Sequence, residues 1–312
     1  MKHVLNIYPF PRVTQTRLEE NFEVHKLWDA DDKDAFIAGI ADKIEGIATM
    51  GNVGVGADIM SKLPNLKITA CFGVGYDAID IDYAAENGIF VTNTPDVLND
   101  CVADMTLGLL LSISREIVAA DKFVRAGEWP AAVMYPLTTA VGGKTIGILG
   151  MGRIGEEVAD RARAFKMNVA YHNRSEKPDN PATYYPDVVS LAAASDYLVC
   201  NCPGGPETEN LINAEVLKAL GPNGYLINIA RGSVVDEPAL IKALQNNEIA
   251  GAGLDVFVDE PTVPEELMQL DNVVLHPHHG SGTKETRKAM GDMMIDNLIA
   301  CLSGQEPPNR VV

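Results

Sequence analysis

Aromatic residues, cysteines and long apolar runs are all scarce in this chain of 312 residues. Phe, Trp and Tyr make up only 6% of it against 46% hydrophobic residues overall, which predicts an α/β core built from Val, Ile, Leu and Ala. The five cysteines are odd in number and lack metal-site spacing and nearby histidine partners, so we expect reduced thiols and no bound metal. The most apolar stretch, Met105 to Ile113, is too short to cross a bilayer. With an N-terminus that resembles a strand rather than a signal peptide, these features predict a soluble, cytoplasmic protein.

Positive charge is also in short supply. The chain has 25 Lys and Arg residues against 43 Asp and Glu, a formal net charge of −18. Such a surface repels nucleic acid and anionic membranes, so neither is an expected partner. An anionic ligand would need a local cationic pocket that acts against this field. The length exceeds that of a usual single domain and predicts two domains.

Short apolar runs alternate with helical patterns along the whole chain, as in α/β folds. A long helix is predicted over Cys101 to Gly127, and a last helix over Lys284 to Leu302. The other predicted helices cover Lys33–Ile44, Asp58–Leu63 and Asp82–Glu86. The predicted strands are Val4–Ile7, Gly46–Thr49, Lys67–Cys71, Ile89–Thr92, Tyr197–Asn201, Gly224–Ile229, Gly251–Val256 and Asn272–Leu275.

A glycine-rich turn near the middle of the chain is the most specific motif. The apolar strand Ile146–Leu149 leads into Gly150-Met-Gly152-Arg-Ile-Gly155, and a helical stretch from Ile154 to Phe165 follows. Gly150 permits the tight turn, Gly152 lets the backbone approach a pyrophosphate, and Gly155 allows close packing of helix on strand. The helix N-terminus offers N–H groups and a partial positive charge to phosphates. This context predicts a dinucleotide-binding domain.

The end of the next strand indicates which dinucleotide binds. An NAD site usually has Asp or Glu there, about 20 residues beyond the first glycine, to accept from the ribose hydroxyls. Here Asn168 to Ser175 contains no acid, and Asn173, Arg174 and Ser175 follow the strand instead. An arginine can bind a 2′-phosphate through paired hydrogen bonds, which favours NADP(H). The alternative is that Arg174 is a solvated loop residue and that backbone groups hold the ribose.

Three later strand ends carry side chains suited to keto-acid chemistry. Arg231 can hold a carboxylate and an adjacent carbonyl in one plane, and His278 can supply a proton near neutral pH. Glu260, bonded to an imidazole, would fix its tautomer and raise its pKa. Each has a structural alternative taken singly: Arg231 could pair with Asp236, Glu260 could cap a turn, and any of three nearby histidines could be structural. Together, behind a dinucleotide motif, they predict reduction of a 2-keto acid.

The chain resembles the D-isomer-specific 2-hydroxyacid dehydrogenases over nearly its whole length. The resemblance rests on the glycine-rich turn and on Asn228-Ile-Ala-Arg231-Gly, Leu254-Asp-Val-Phe-Val-Asp-Glu260-Pro and Pro277-His278-His-Gly-Ser281, in that order. It implies that Arg231 anchors the substrate carboxylate and carbonyl, that His278 is the acid/base, and that Glu260 is its partner. We expect no metal ligands among the site residues.

The same resemblance implies further site residues. Backbone N–H groups of Val74 and Gly75 would bind the substrate carboxylate, and Asp255 would contact the nicotinamide carboxamide. The cofactor-binding set comprises Val102, Gly150, Gly152, Arg153, Ile154, Gly155, Asn173, Arg174, Ser175, Pro203, Thr208, Ile229, Asp255, His278 and Gly280.

The resemblance also implies the architecture: two Rossmann-like, doubly wound α/β domains, one inserted in the other. Residues 1–98 plus 284–312 would form a discontinuous substrate-binding domain, and residues 99–283 the dinucleotide-binding domain. The helical segment after Cys101, with Trp129-Pro130 beyond it, resembles the family's segment for two-fold association, so a homodimer is expected. Met134 or Tyr135 would then reach the neighbouring subunit.

The subgroup that the chain most resembles contains NADPH-dependent glyoxylate/hydroxypyruvate and hydroxyphenylpyruvate reductases. We therefore expect NADPH-dependent reduction of glyoxylate or hydroxypyruvate. An arylpyruvate reductase and a dinucleotide-sensing regulatory protein with feeble turnover remain as alternatives. His276 and His279 depart from the family pattern and place two extra imidazoles beside His278.

Overall fold

A computed structural model describes residues 1–130 and 134–312. They form two compact units, Met1–Leu98 with Gly282–Val312, and Asn99–Ser281. Each unit is built on one parallel sheet, so the prediction of two Rossmann-like α/β domains is confirmed. Across the described residues no helix has the length and apolar character to cross a membrane, and no three His, Cys, Asp or Glu side chains are grouped so that they could hold a metal.

The first unit is a five-stranded parallel sheet in the order β2-β1-β3-β4-β5. The three inner strands of this sheet are buried almost throughout, as expected where helices cover both faces of a parallel sheet, whereas the edge strand β2 has no buried residue. Its strands and helices are β1 (His3–Asn6), α1 (Arg12–Asn21), β2 (Glu23–Lys26), α2 (Lys33–Ile40), β3 (Ile44–Met50), α3 (Ala57–Met60), β4 (Ile68–Phe72), α4 (Ile81–Glu86) and β5 (Phe90–Thr92).

The second unit is a seven-stranded parallel sheet in the order β12-β11-β10-β9-β6-β7-β8. Its elements are α5 (Asn99–Ser114), α6 (Ile117–Arg125), β6 (Thr145–Leu149), α7 (Arg153–Ala164), β7 (Asn168–His172), β8 (Thr183–Tyr184), α8 (Val188–Ala193), β9 (Tyr197–Cys200), α9 (Ala214–Leu220), β10 (Tyr225–Asn228), α10 (Glu237–Gln245), β11 (Gly251–Leu254), α11 (Glu265–Met268) and β12 (Val273–Leu275). The strand order reverses between β6 and β9, which is where ligands bind in such sheets.

The last helix, α12 (Lys284–Leu302), returns to the first unit and packs on β3 and β4. Met290, Met294, Leu298 and Leu302 are all buried, which confirms the apolar face predicted for this helix.

Three predicted helices were too long, among them Asp58–Leu63, which ends at Met60. The helix predicted over Cys101–Gly127 is two helices, because Glu116 adopts a left-handed conformation (φ 50°) that interrupts regular helix geometry between α5 and α6. The helix predicted over Lys33–Ile44 ends at Ile40, since Ile44 is already the first residue of the buried strand β3. The sequence prediction also missed α1, the edge strands β2 and β8, and the helices α8 to α11.

Candidate active site

The glycine-rich turn between β6 and α7 is shaped by two close backbone contacts. Gly150 has φ of 101°, and a Cβ there would lie 2.7 Å from the backbone nitrogen of Cys202. A Cβ on Gly155 would lie 2.4 Å from the carbonyl oxygen of Gly150. A Cβ on Gly152 would instead meet no atom within 4 Å, so this residue faces open space. The turn therefore tolerates only glycine where it packs, and leaves its outer side clear for a ligand.

The N-terminus of α7 faces the same turn. Its N-cap residue is Gly152, which has no side chain to accept hydrogen bonds. The N–H groups of the first turn, which include those of Arg153 and Ile154, are therefore not capped by the N-cap residue. Asn173 braces the turn from the end of β7: its Oδ1 accepts from the Met151 N–H at 2.7 Å and its Nδ2 donates to the Met151 carbonyl at 3.3 Å. These features fit the pyrophosphate of a dinucleotide.

The outer end of this region carries the residues predicted to select the cofactor. The Arg174 guanidinium donates to the Glu207 carboxylate at 3.1 Å, and both side chains are highly exposed, at 90% and 76%. Ser175 is also exposed. Thr208 closes the loop that contains Glu207, because its hydroxyl donates to the carbonyl of Pro203 at 2.8 Å. Arg174, Pro203 and Thr208 thus belong to one region of the unit, joined by a glutamate that the sequence reasoning missed.

Arg231 follows β10 and is held through its backbone. The Nδ2 group of Asn228 donates to the Arg231 carbonyl at 2.8 Å, while Asn228 Oδ1 accepts from the N–H of Ala230. The next residue must be glycine, since a Cβ on Gly232 would lie 2.0 Å from the backbone carbon of Phe257. The loop after β10 therefore packs against the loop after β11, which contains Glu260.

His278 and Glu260 form a hydrogen-bonded pair. The imidazole Nδ1 and the carboxylate Oε2 are 2.5 Å apart, and the other carboxylate oxygen accepts from the Phe257 N–H at 3.1 Å. Burial alone would raise the pKa of Glu260, but the hydrogen bond and charge of His278, the Phe257 N–H and the charge of Arg231 together hold that pKa below its ordinary value. The ionised carboxylate holds the ring through Nδ1, so that Nε2 points away from Glu260.

Asp255 organises the loop that presents His278. Its backbone carbonyl accepts from the His278 N–H at 2.7 Å, and its buried carboxylate accepts from the N–H groups of His279 and Gly280, both at 2.8 Å. His276 Nδ1 lies 2.5 Å from the same carboxylate. These bonds hold His278 in a left-handed conformation (φ 49°) that a non-glycine residue rarely adopts. The three nearby histidines therefore have different surroundings.

The remaining predicted residues of this unit lie deeper. A Cβ on Gly280 would lie 3.2 Å from a side-chain carbon of Ile229, so these two predicted cofactor residues adjoin Asp255. Val102 is buried on the first turn of α5, and its carbonyl accepts from the Thr106 hydroxyl at 2.8 Å. Cys202 lies beside the glycine turn; burial raises the pKa of its thiol to about 11, so the thiol stays protonated at neutral pH.

Val74 and Gly75 belong to the first unit, in the loop after β4. They are half-buried, and none of the hydrogen bonds among the described residues uses their N–H groups. The neighbouring carbonyls are occupied by Asn93 and Thr94, two residues that sequence reasoning missed. Their position just after β5, the strand adjacent to β4, was the only available signal.

Comparisons with known proteins agree on one family. Residues 107–280 match the model of the D-isomer specific 2-hydroxyacid dehydrogenase, NAD binding domain. The chain is 47% identical to hydroxyphenylpyruvate reductase of Plectranthus scutellarioides (97% of this chain and 96% of that protein). It is 45% identical to glyoxylate/hydroxypyruvate reductase A of Arabidopsis thaliana (99% and 98%).

A solved structure extends this likeness to three dimensions. The NADPH-dependent glyoxylate/hydroxypyruvate reductase of Sinorhizobium meliloti, in complex with NADP and malonate, matches with a TM-score of 0.94 and 43% identity over 100% of this chain and 97% of that one. The expected resemblance is thereby confirmed: this protein belongs to the D-isomer-specific 2-hydroxyacid dehydrogenases, a family of oxidoreductases with a dinucleotide-binding domain.

Proposed function

We propose that this protein reduces small 2-keto acids, glyoxylate and hydroxypyruvate first, with NADPH, and that chiral products have the D configuration. The observation that carries the proposal is the His278–Glu260 pair, with the Arg231 charge close enough to lower the pKa of Glu260. The reductases of glyoxylate and hydroxypyruvate among the similar proteins support the substrate class.

The proposed acid/base group is His278. When bound, the reduced nicotinamide would supply a hydride to the keto carbon. The imidazole donates a proton from Nε2 to the carbonyl oxygen, so that an alcohol forms instead of an alkoxide. Glu260 remains ionised because its pKa is lowered, and it stabilises the protonated ring before transfer.

Substrate orientation is assigned to cationic and backbone donors. Arg231 binds the carboxylate and the adjacent carbonyl, and the N–H groups of Val74 and Gly75 bind the carboxylate as well. These donors would supply the local positive potential that an anionic substrate needs on a chain of net charge −18. Holding the carbonyl in one plane aligns it for attack and raises the rate as well as the affinity.

The cofactor is proposed to be held by the glycine turn and the loops around it. Gly150, Gly152, Arg153, Ile154 and Gly155 would bind the pyrophosphate, with Asn173 supporting the turn. Arg174 and Ser175 would bind the 2′-phosphate, and the NADP complex of the similar S. meliloti enzyme supports this choice. The rest of the predicted set would bind the ribose and nicotinamide: Val102, Pro203, Thr208, Ile229, Asp255, His278 and Gly280.

The decisive experiment measures initial rates of NADPH and NADH oxidation with glyoxylate, hydroxypyruvate, pyruvate and hydroxyphenylpyruvate in parallel. We expect the fastest turnover with NADPH and the two small acids. Turnover with NADH alone would refute the role of Arg174. Tight NADPH binding with negligible turnover of every acid would favour the dinucleotide-sensing regulatory protein.

A second candidate substrate is an arylpyruvate. It is favoured by the 47% identity to hydroxyphenylpyruvate reductase. A kcat/KM for hydroxyphenylpyruvate above that for glyoxylate would replace the first assignment, while the roles of the histidine, glutamate and arginine would stay the same.

We also propose a homodimer that works in the cytoplasm. No residue of α6 is buried, and Ile117, Val118 and Val124 on it are exposed, as are Trp129, Met134 and Leu137 beyond it. A second copy of the chain is the proposed cover for these side chains. Tyr135 is bonded to Glu116 of its own chain, so Met134 is the better candidate to reach a neighbour. No disulfide joins any of the five cysteines, all of which lie among the described residues, and this suits a reducing compartment.

A further inference from the structure

In the loop after β4, the carbonyls of Gly73 and Val74 accept hydrogen bonds from the same neighbouring segment. The Gly73 carbonyl accepts from the N–H of Thr94 at 2.9 Å, and the Val74 carbonyl accepts from the Nδ2 group of Asn93 at 2.9 Å. The Gly73 N–H donates to the Thr94 hydroxyl at 3.1 Å. Asn93 and Thr94 are consecutive residues, so one short segment after β5 holds the loop through three hydrogen bonds.

Because peptides are planar, these hydrogen bonds also fix the direction of the Val74 and Gly75 N–H groups. In a planar trans peptide the C=O and the following N–H point in opposite directions. The Gly73 carbonyl shares a peptide with the Val74 N–H, and the Val74 carbonyl shares one with the Gly75 N–H. Since both carbonyls point toward the Asn93–Thr94 segment, both N–H groups point away from it. Adjacent N–H groups presented in this way form an anion-binding cradle.

The segment that orients the loop is itself firmly held. Thr94 is fully buried, and the Asn93 N–H donates to the carbonyl of Asn309. The side chain of Asn297, fully buried on α12, accepts from the Asn309 N–H at 3.1 Å. Gly51 follows β3, the strand that pairs with β4 on the side away from β5. A Cβ on Gly51 would lie 2.3 Å from the Gly75 carbonyl oxygen, so the loop has no room to relax in that direction.

We propose that Asn93 is a positioning residue for substrate binding: its carboxamide fixes the Val74–Gly75 peptide so that the N–H of Gly75 is aimed at the substrate carboxylate. The inference rests on the proposed function, in which Val74 and Gly75 bind that carboxylate. Asn93 acts through the peptide and not by touching the substrate. Loss of the Asn93 carboxamide should therefore weaken binding of the substrate carboxylate and leave proton transfer and cofactor binding unchanged.

The test compares Asn93→Leu with Asn87→Leu. Asn87 is a matched control because its Nδ2 also donates to a backbone carbonyl, that of Tyr83 at 2.8 Å, on an exposed site of the same unit. For Asn93→Leu we expect the KM for glyoxylate to rise roughly tenfold, as for one lost hydrogen bond, while kcat and the Kd for NADPH stay within about threefold. Asn87→Leu should leave all three at the wild-type values. Asn93→Ser removes the same donor with a smaller side chain and serves if the leucine variant does not fold.

Hydrogen–deuterium exchange separates this inference from the proposed function. In the wild-type protein with NADP⁺ bound, oxalate should slow amide exchange of residues 72–77. If oxalate has no effect there, Val74 and Gly75 do not bind a carboxylate, and both the inference and that part of the proposed function are wrong. If oxalate protects the wild type and Asn93→Leu equally, and the KM is unchanged, only the role of Asn93 is wrong. Protection that is lost in Asn93→Leu and kept in Asn87→Leu supports both.

Discussion

The three histidines that follow β12 differ in their hydrogen-bond partners. His276, His278 and His279 lie within four consecutive positions, with Pro277 between the first two. Of these three histidines, His278 is the one whose side chain is bonded to Glu260. His276 pairs with Asp255, and the backbone of His279 donates to the same Asp255 carboxylate. A carboxylate paired with one ring nitrogen leaves the other nitrogen oriented for proton transfer. Asp255 is occupied in holding the loop, so Glu260 is the partner suited to an acid/base role.

The first prediction concerns these histidines. Replacing His278 by Asn should lower kcat for glyoxylate reduction by about 10²- to 10⁴-fold, because it removes the proposed proton donor. His279→Asn should retain kcat within a few-fold, since the contacts of His279 with Asp255 are made by its backbone. Steady-state kinetics with NADPH at neutral pH measure both. A comparable loss in His279→Asn, with His278→Asn active, would mean that the acid/base has been misassigned.

The second prediction follows from the lowered pKa of Glu260. Its native carboxylate binds a proton less tightly than the unfolded one, so its contribution to stability is fully present above the unfolded pKa, about 4.3. It is lost as the pH falls through the lower folded pKa. Wild type and Glu260→Gln should therefore differ most in free energy of unfolding near pH 6 and progressively less toward pH 3. Urea titrations across this range measure the difference.

An exposed ion-paired glutamate provides the control for that experiment. Glu306 pairs with Arg310 on the surface, so Glu306→Gln should track the wild type within about 0.5 kcal/mol at every pH. A gap between wild type and Glu260→Gln that stays constant from pH 6 to pH 3 would contradict a lowered pKa at Glu260.

Sequence reasoning named the residues of the candidate site but not the residues that support them. Arg231, Glu260 and His278 could be predicted because each stands at a strand end within a motif. The Glu207 partner of Arg174, the Asp255–His276 pair and the support from Asn93 could not be predicted. Each of these depends on which side chains meet across separate loops, and no sequence spacing encodes such a meeting.

At the scale of elements, one arginine ties together the two helices α5 and α7. Arg161 on α7 donates to Asp100 and Asp104 on α5 and to Glu157 on its own helix. Burial opposes its charge, but the three carboxylates outweigh that effect and raise the pKa of the guanidinium. The helix whose N-terminus faces the glycine turn is thus tied to its neighbour by charged hydrogen bonds.

The third prediction tests this tie. Arg161→Met should destabilise the protein by about 1–2 kcal/mol, a value reduced because its α5 partners are largely exposed. The loss should shrink in high salt. Arg163→Met, two positions along α7, removes only an exposed pair with Asp160 and should cost about 0.5 kcal/mol or less. Chemical denaturation measures both, and equal losses would show that Arg161 does no more than a surface residue.

The elements themselves were predictable where hydrophobic periodicity is strong. Buried strands such as β6 and β10 and the apolar face of α12 follow directly from that pattern. The pattern fails for α1, a mostly polar helix, and for β2, an edge strand with no buried residue. It also fails at Glu116, because the apolar spacing continues across a residue whose backbone turns left-handed. Tertiary packing determines such points, and periodicity does not report it.

At the scale of the whole molecule, the strong negative charge and the exposed apolar side chains act in opposite directions. A net charge of −18 repels a second copy of the chain. Association therefore needs apolar contacts that outweigh this repulsion. The exposed side of α6 supplies Ile117, Val118 and Val124, and the segment beyond it supplies Trp129 and Leu137. Burying these side chains would outweigh a repulsion that physiological salt screens over about 8 Å.

The fourth prediction is that Val124→Glu converts the proposed dimer to a monomer, because a carboxylate would then have to be buried in the apolar contact. Val13→Glu on α1 is the control: Val13 is 50% exposed and Val124 is 53% exposed, so both substitutions add the same charge at equally accessible sites. Sedimentation velocity should give a dimer for the wild type and Val13→Glu, and a monomer for Val124→Glu. A wild-type monomer would refute the dimer. Dissociation by both variants would show that charge alone, and not the α6 surface, controls assembly.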